Sequence, residues 1–402
     1  IACWAMGLTQ QPNGVSVIQE VVNLLLMGGH IGRPGAGLCP VRGHSNVQGD
    51  RTVGIWEAPP LSFLENMEKG LQISIPKTHG YDVVNAIKAM NDGKVDVFFC
   101  MGGNFISATP DTHATAKGLR KIGLTVQVST KLNRSHLVTG EQAIILPCLG
   151  RTEEDVQEGG IQFVTVENSM GVVHQSRGGL QPASIHLRSE PWIVSHLATH
   201  LFDDSPLDWA GMAGNYDLIR DLMEKSLTGF EKYNQRVRNE NGFLLPNPPR
   251  DSRSFDTPTG KAHFTTHELP DVSVPDDRYV MMTIRSHDQY NTTIYDVHDR
   301  YRGISGNRRV VLMNALDMVE RGWKSRHPVS ITSHFHGEER HSSGWVVIAY
   351  EIPRQNIATY FPEANSLVPL NSTAALSNTP TSKWIEVSLE SESSFSKGDE
   401  EE

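Results

Sequence analysis

Residues 28–49 read GGHIGRPGAGLCPVRGHSNVQG. The stretch contains seven glycines and two prolines, and no part of it has a pattern typical of a helix or a strand. A loop of this length is uncommon unless it is functional or disordered. Its second half carries polar side chains at every second position: Arg42, His44, Asn46 and Gln48. Because arginine, amide and imidazole groups can donate hydrogen bonds to carboxylates and polyanions, we expect a ligand-binding loop, with a structural loop at a sheet end as the alternative.

The segments on either side of this loop alternate strands with helices. Strands are predicted at Ile1–Met6, Val95–Met101, Leu124–Ser129 and Ala143–Leu146. Helices are predicted at Val15–Met27, Tyr81–Asn91, Thr112–Ile122, Trp192–Leu201 and Tyr216–Leu227. The apolar run Val95–Met101 is typical of a strand that is buried on both faces. This order predicts an α/β fold with a Rossmann-like parallel sheet.

Polar turns follow two of the predicted strands. Thr9 and Gln10 come after the first strand, and Gly102, Gly103 and Asn104 come after Val95–Met101. Ligands of α/β sheets bind beyond the carboxyl ends of the strands. We therefore expect a nucleotide near the glycine pair, with a plain strand-to-helix connection as the alternative.

The pattern changes to short strands from about Asp276. Candidate strands are Val280–Ile284, Val310–Met313, Val329–Thr332, Trp345–Tyr350 and Trp384–Leu389, with one helix at Ala315–Arg321. Many short strands with a single helix favour a small β-barrel. Two other stretches lack a clear pattern: residues 48–74 are predicted to be irregular, and residues 229–249 to form a polar surface excursion.

The charge of the chain argues against an anionic partner surface. The net charge is −10, so neither nucleic acid nor an anionic membrane is an expected partner. From Glu390 onward there are six acidic residues and one lysine, which predicts an acidic disordered tail. No apolar run is long enough for a membrane span, and no signal segment is visible, which favours a cytoplasmic protein.

Cysteines and histidines do not form a clear metal-binding pattern. The four cysteines, Cys3, Cys39, Cys100 and Cys148, are scattered without a C-x-x-C pair, so we expect reduced, buried thiols. Three histidines lie close together in the sequence, at His334, His336 and His341. Structural zinc sites usually include cysteine ligands, and none is near. A solvated hairpin is the preferred interpretation there, and no metal ligand is predicted.

The runs GRPGAG at Gly32–Gly37 and VRGHSNVQG at Val41–Gly49 together resemble the central loop of the molybdopterin oxidoreductase family, within it most closely the formate dehydrogenase catalytic subunits. Further matches lie at Pro258–Lys261, Glu363–Leu367 and Thr379–Lys383, so the resemblance extends from Ile1 to about Leu389. It implies an α/β molybdopterin-binding portion over residues 1–272 and a double-psi β-barrel over residues 273–390, followed by the tail at 391–402.

The resemblance also implies roles for individual residues. Arg42 would orient formate and His44 would lie near the metal, although a structural ion pair is the alternative for Arg42. Glu167 lies in a segment that packs under the cofactor in the family. The implied cofactor contacts are Thr9, Gln10, Gly43, Asn46, Gln48, Gly49, Gly102, Gly103, Asn104, Thr130, Asn133, Arg285, His287, Asn291, Asn365 and Lys383.

The implied activity is the two-electron oxidation of formate to carbon dioxide. The implied cofactor is bis-molybdopterin guanine dinucleotide with molybdenum or tungsten, served by a 4Fe–4S cluster whose ligands lie upstream and by an electron-acceptor subunit. The chain would then be the C-terminal part of a longer enzyme and inactive by itself. Two alternatives stay open: another small oxo-anion or carboxylate as the substrate, or a pterin-binding fragment without catalysis.

Overall fold

The computed structural model describes residues 1–292 and 294–393. The first part of the chain contains β1 (Ala2–Trp4), α1 (Met6–Thr9), α2 (Gly14–Met27), β2 (Leu38–Pro40), α3 (Val47–Thr52) and α4 (Leu61–Leu71). Strands β1 and β2 are parallel and pair over three residues. The predicted irregular loop therefore contains β2 and the start of α3, and residues 48–74 contain α4. Such short strands are stabilised by a partner distant in sequence, which local patterns do not reveal.

A three-stranded parallel sheet follows. Its elements are α5 (Val83–Asn91), β3 (Val97–Met101), α6 (Phe105–Ala108), α7 (Thr112–Leu119), β4 (Leu124–Ser129) and β5 (Gln142–Pro147), with the strand order β3-β4-β5. Asp82 caps the start of helix α5, because its carboxylate accepts hydrogen bonds from the backbone N–H groups of Val84 and Asn85. Met90, Leu119 and Ile122 form part of the core under this sheet.

The prediction that β3 is buried on both faces is wrong. Val97, Phe99 and Met101 are 55%, 37% and 40% exposed. Alternate residues of a strand point to opposite faces of the sheet. One apolar face of β3 is therefore open in this chain, because the elements that flank it pack on the other side.

The middle of the chain is a mixed segment with its own core. It contains β6 (Val156–Gln157), β7 (Gly160–Ile161), β8 (Val164–Glu167), β9 (Val172–Ser176), α8 (Glu190–Leu201), α9 (Trp209–Gly214), α10 (Tyr216–Ser226), α11 (Tyr233–Arg236), β10 (Phe243–Leu244) and α12 (Pro248–Ser252). Phe230, Tyr233, Val237 and Phe243 are buried together. The predicted surface excursion at 229–249 is therefore wrong for this stretch, because its aromatic side chains anchor it to the β8–β9 hairpin.

The last part of the chain is a six-stranded closed barrel. Its elements are β11 (Tyr279–Ile284), β12 (Val310–Met313), α13 (Ala315–Glu320), β13 (Pro328–Phe335), β14 (Glu338–Ala349), β15 (Asn356–Tyr360) and β16 (Ile385–Ser391), in the order β11-β15-β12-β14-β13-β16. Two of its strand pairs are parallel (β11 with β15, β12 with β14), and the other four are antiparallel. The barrel confirms the fold class at this level, and the double-psi topology stays a prediction. The sequence analysis missed β15.

The barrel and the α/β part are joined by buried polar contacts. Asn365 donates from Nδ2 to the backbone oxygen of Ser107 at 2.7 Å, and its own carbonyl accepts from the Asp111 N–H at 3.0 Å. Arg340 on β14 pairs with the Asp111 carboxylate at 2.7 Å. The predicted boundary at 272/273 stays a prediction, as does the tail, of which 394–402 lie outside the described residues. No helix in the described part of the chain is long and apolar enough to cross a membrane.

Candidate functional site

Arg42 lies on the exposed side of the loop and is held by its neighbour Gln48. Its Nε and Nη2 atoms donate to Gln48 Oε1 at 3.2 and 2.9 Å. The guanidinium has further donors beyond these two bonds, since arginine carries five N–H groups in a planar fork. Arg42 is therefore oriented by the loop and can still receive an anionic ligand.

A buried carboxylate lies beneath this pair. Glu167, at the end of β8, is 7% exposed, and its Oε2 atom has no hydrogen-bond partner in the described structure. Burial raises the pKa of the Glu167 carboxyl, while the nearby Thr52 and Gln48 side chains and the charge of Arg42 oppose that shift. Gln48 thus bonds to Arg42 and lies near the Glu167 carboxylate, so the loop arginine has a buried acid close by.

Asn46 attaches the loop to β8, the strand that carries Glu167. It adopts a left-handed conformation (φ 65°), and its Oδ1 accepts from the Glu167 N–H at 3.0 Å. A Cβ at Gly49 would lie only 2.1 Å from Asn46 Oδ1, so a larger residue here would displace the Asn46 amide from Glu167. Asn46 and Gly49 therefore shape the loop in this structure, and their predicted contacts with a cofactor remain predictions.

His44 connects the loop to the barrel. Its Nε2 lies 2.7 Å from Asn291 Nδ2, and its ring meets Tyr290 edge-on at 6.1 Å. Burial, followed by the nearby charge of Arg285, lowers the pKa of His44. A neutral imidazole can accept the Asn291 N–H at Nε2, which agrees with that direction. Two residues predicted from distant parts of the sequence, His44 and Asn291, are thereby brought together.

Two cations lie at the adjoining end of the barrel. Lys383 donates from Nζ to the backbone oxygen and to the hydroxyl of Thr283, at 3.2 Å for the hydroxyl. Burial and then the charge of Arg285 lower the pKa of Lys383 to about 8. In the part of the chain that the structure describes, neither Lys383 nor Arg285 has a carboxylate within salt-bridge distance. Two neighbouring, partly buried like charges without a counter-ion are costly, so this end of the barrel favours an anion.

The N-terminal turn contacts the same end of the barrel. The carbonyl of Gln10 accepts from the Lys383 N–H at 2.9 Å, and the carbonyl of Pro12 accepts from the Ala375 N–H at 3.1 Å. Thr9 ends the one-turn helix α1, where the sequence predicted a loop. Thr9, Gln10 and Lys383 are thus adjacent, as a shared ligand would require.

The glycine pair after β3 forms a second cradle. Gly102 and Gly103 have φ values of 68° and 77°, which favour glycine, and a Cβ at Gly103 would meet nothing within 4 Å. Asn133 closes this turn by donating from Nδ2 to the Gly103 carbonyl at 2.8 Å. Asn104 points inward, where its Oδ1 accepts from the Ser135 hydroxyl at 3.1 Å.

Three residues that were predicted to contact the cofactor have other neighbours in the structure. His287 faces Asp299 at 3.4 Å and packs on Tyr301. Thr130 is exposed, without a described side-chain hydrogen bond, and Asn365 forms the bridge between the barrel and α6. The structure gives these three residues no contact with the Arg42 loop.

Sequence reasoning missed two carboxylates near the glycine cradle. Glu190, the first residue of α8, lies so that its Oε1 would be 3.9 Å from a Cβ at Gly102. Burial raises the pKa of Glu190, and the charge of Asp50 adds to that shift. Burial also raises the pKa of Asp50. In the sequence, an acidic residue at the start of a helix indicates only a favourable interaction with the helix end. The position of Glu190 beside the glycine turn becomes visible only in the folded structure.

The sequence is similar to one family model and to several known proteins. Residues 1–155 match the family model described as Molybdopterin oxidoreductase. An uncharacterized oxidoreductase of Mycobacterium tuberculosis is 53% identical over 97% of this chain and 51% of its own length. A Staphylococcus aureus protein provisionally named a formate dehydrogenase is 33% identical over 25% of this chain and 11% of its own length.

One solved structure shows the same fold. The acetylene hydratase of Pelobacter acetylenicus superposes with a TM-score of 0.51 at 14% identity, covering 85% of this chain and 51% of that one. At this identity the likeness concerns the fold alone. The chain spans about half the length of the Mycobacterium tuberculosis relative.

Proposed function

Because residues 1–155 form a molybdopterin oxidoreductase domain, as the sequence predicted, we propose that this chain holds a bis-molybdopterin guanine dinucleotide centre in a formate-oxidising enzyme. The full-length protein would convert formate to carbon dioxide by a two-electron oxidation at molybdenum or tungsten. The similarity to the Staphylococcus aureus protein supports formate as the substrate. Since the chain spans about half of its Mycobacterium tuberculosis relative, the activity is proposed for the longer protein.

The residues present fit such a cofactor. The observation that carries the proposal is the cation pair of Lys383 and Arg285, which lies beside His44 without a carboxylate partner in the described structure. Phosphate oxygens would supply the missing negative charge. The left-handed turn at Gly102 and Gly103 adds a place where a nucleotide can approach the backbone closely.

In this proposal the side chains of the protein position the substrate. The bound metal centre supplies the redox chemistry. Arg42 has free N–H donors for a carboxylate, and its bonds to Gln48 fix its direction. His44 stays neutral near neutral pH because its pKa is lowered, so it adds a polar group without a second charge. A 4Fe–4S cluster needs four thiolates in one place, and we expect its ligands in the other half of the full-length protein, together with the contact to an electron-acceptor subunit.

The test of this proposal is Arg285→Ala in the full-length protein. A lost charge-assisted contact is worth about 1.5–3 kcal/mol, so we expect less molybdenum and less guanine nucleotide to be retained after purification. Arg309→Ala is the matched control, since Arg309 is an exposed arginine of the same barrel. Equal metal and nucleotide content in wild type and Arg285→Ala would contradict the proposal.

A further inference from the structure

Two of the four cysteines face each other at the base of the central loop. In the parallel pair of β1 and β2, Cys3 is the direct partner of Cys39. Hydrogen bonds hold this register on both sides, from Ala2 N to the Gly37 carbonyl at 2.9 Å and from Val41 N to the Trp4 carbonyl at 2.7 Å. Neighbouring strands lie about 4.8 Å apart. That separation falls within the Cα–Cα range that a disulfide spans.

The two thiols differ from the other cysteines in their surroundings. Cys3 is exposed and Cys39 is partly exposed, so a small reagent can reach the pair. Burial, followed by contact with the Cys3 thiol, raises the pKa of Cys39. Cys148, in contrast, is buried, and burial raises its pKa to about 11. Cys100 donates its thiol to the Gly102 carbonyl at 3.2 Å and has no cysteine partner.

We propose that Cys3 and Cys39 form a redox-active dithiol, which closes to a disulfide when it meets a small disulfide such as oxidised glutathione. This revises the expectation of four unconnected, buried thiols. The Cys3 thiolate attacks one sulfur of the reagent, and a glutathione thiolate leaves. Cys39 then attacks the Cys3 sulfur of the mixed disulfide and releases the second glutathione. The protein loses two electrons and two protons, and the reagent gains them.

Closure would act on the loop that carries Arg42. Cys39 is followed at once by the turn Pro40-Val41-Arg42. A disulfide would fix the end of β2 on β1 and close the chain from Cys3 to Cys39 into a ring. Such a ring restricts the unfolded chain, so the oxidised form should be the more stable one. The inference does not depend on the cofactor, since it rests on the strand register alone.

The experiment uses the purified 402-residue chain, incubated with excess oxidised glutathione and analysed by thiol titration and peptide mass spectrometry. We expect the number of free thiols to fall from four to two, with a Cys3–Cys39 cross-linked peptide and no retained glutathione. Dithiothreitol should restore all the thiols. The oxidised protein should melt at a higher temperature than the reduced protein.

Single variants separate closure from ordinary thiol reactivity. Cys39→Ser should stop at a stable mixed disulfide on Cys3, while the control Cys100→Ser should still close the Cys3–Cys39 bond. Phenylarsine oxide, which bridges neighbouring thiols, should bind one to one to wild type and Cys100→Ser, and should not be held by Cys3→Ser or Cys39→Ser. A glutathione adduct that persists on wild-type Cys3, or a cross-link to Cys100 or Cys148 instead, would overturn the proposal.

Discussion

Arg42 is oriented by Gln48, which accepts two hydrogen bonds from its guanidinium. The buried Glu167 lies near both side chains. The sequence alone predicted the polar run that contains Arg42 and Gln48, because the residues alternate within one loop. It could not predict that Glu167 lies beneath them, because that contact depends on how β8 packs against α3.

The first prediction at this scale separates catalysis from structure at Arg42. Arg42→Lys in the full-length protein keeps the charge but loses the planar fork. We expect metal and pterin content near wild type, because the glycine loop remains. Formate-dependent dye reduction per bound molybdenum should fall on the order of a hundredfold, since small misplacements of a substrate are that costly. A normalised rate within about twofold of wild type would remove Arg42 from catalysis.

At the scale of elements, the sequence predicted helices and strands well where the pattern was long or the caps were clear. Helix α2 ends at Gly28 and Gly29, and β12 has the predicted bounds. Strand β15 was missed although it is buried, and α4 was missed because its apolar residues are mixed with charges. The ends of β11 and β16 matter most for the site, since they bring Thr283 and Lys383 together from remote positions.

Because Lys383 lies where β11 and β16 meet, we expect the affinity of this site for anions to depend on pH. The pKa of Lys383 in the folded chain is about 8, so the ammonium that we propose as a phosphate ligand is lost above that pH. Binding of guanosine diphosphate, measured by calorimetry, should weaken as the pH rises from about 7 to about 9. Lys383→Arg should keep a nearly constant affinity, because arginine stays charged. The same pH slope in both proteins would show that Lys383 does not bind the phosphates.

The lowered pKa of Lys383 also determines how the stability of the fold changes with pH. An unfolded lysine keeps its proton up to its ordinary pKa of 10.5, whereas the folded chain releases it at about 8. The unfolded state therefore binds more protons between these values, and stability rises with pH across that window. The melting temperature of the ligand-free wild type should increase there relative to Lys383→Met.

At the scale of the whole molecule, the barrel and the α/β part share polar contacts that no sequence pattern revealed. The motif match at Glu363–Leu367 predicted a cofactor role for Asn365, yet its amide bonds to α6. The exposure of one apolar face of β3 could not be predicted from the sequence either. A continuous apolar run does not show which elements will cover each face of the strand.

The ion pair of Asp111 and Arg340 gives the last prediction. Asp111 caps α7 through Oδ1, which accepts from the Ala114 N–H at 3.1 Å, and pairs with Arg340 through Oδ2. Its φ of 47° is a conformation that asparagine tolerates. Asp111→Asn therefore keeps the cap and the backbone but removes the charge opposite Arg340, whose side chain is only 14% exposed.

In Asp111→Asn, Arg340 keeps its second partner, the exposed Glu338 carboxylate at 2.9 Å, so the loss should stay below the cost of a wholly unpaired buried charge. We expect Asp111→Asn to lower the free energy of unfolding by about 1.5–3 kcal/mol in urea titrations, the worth of a hydrogen bond to a charged group. Lys94→Gln is the matched control, since its pair with Asp92 is more than half exposed on both sides, and such pairs contribute at most about 1 kcal/mol. If the two variants lost equal stability, the Asp111–Arg340 pair would behave as a surface contact, and the barrel would be held to the α/β part by Asn365 and the Gln10–Lys383 contact instead.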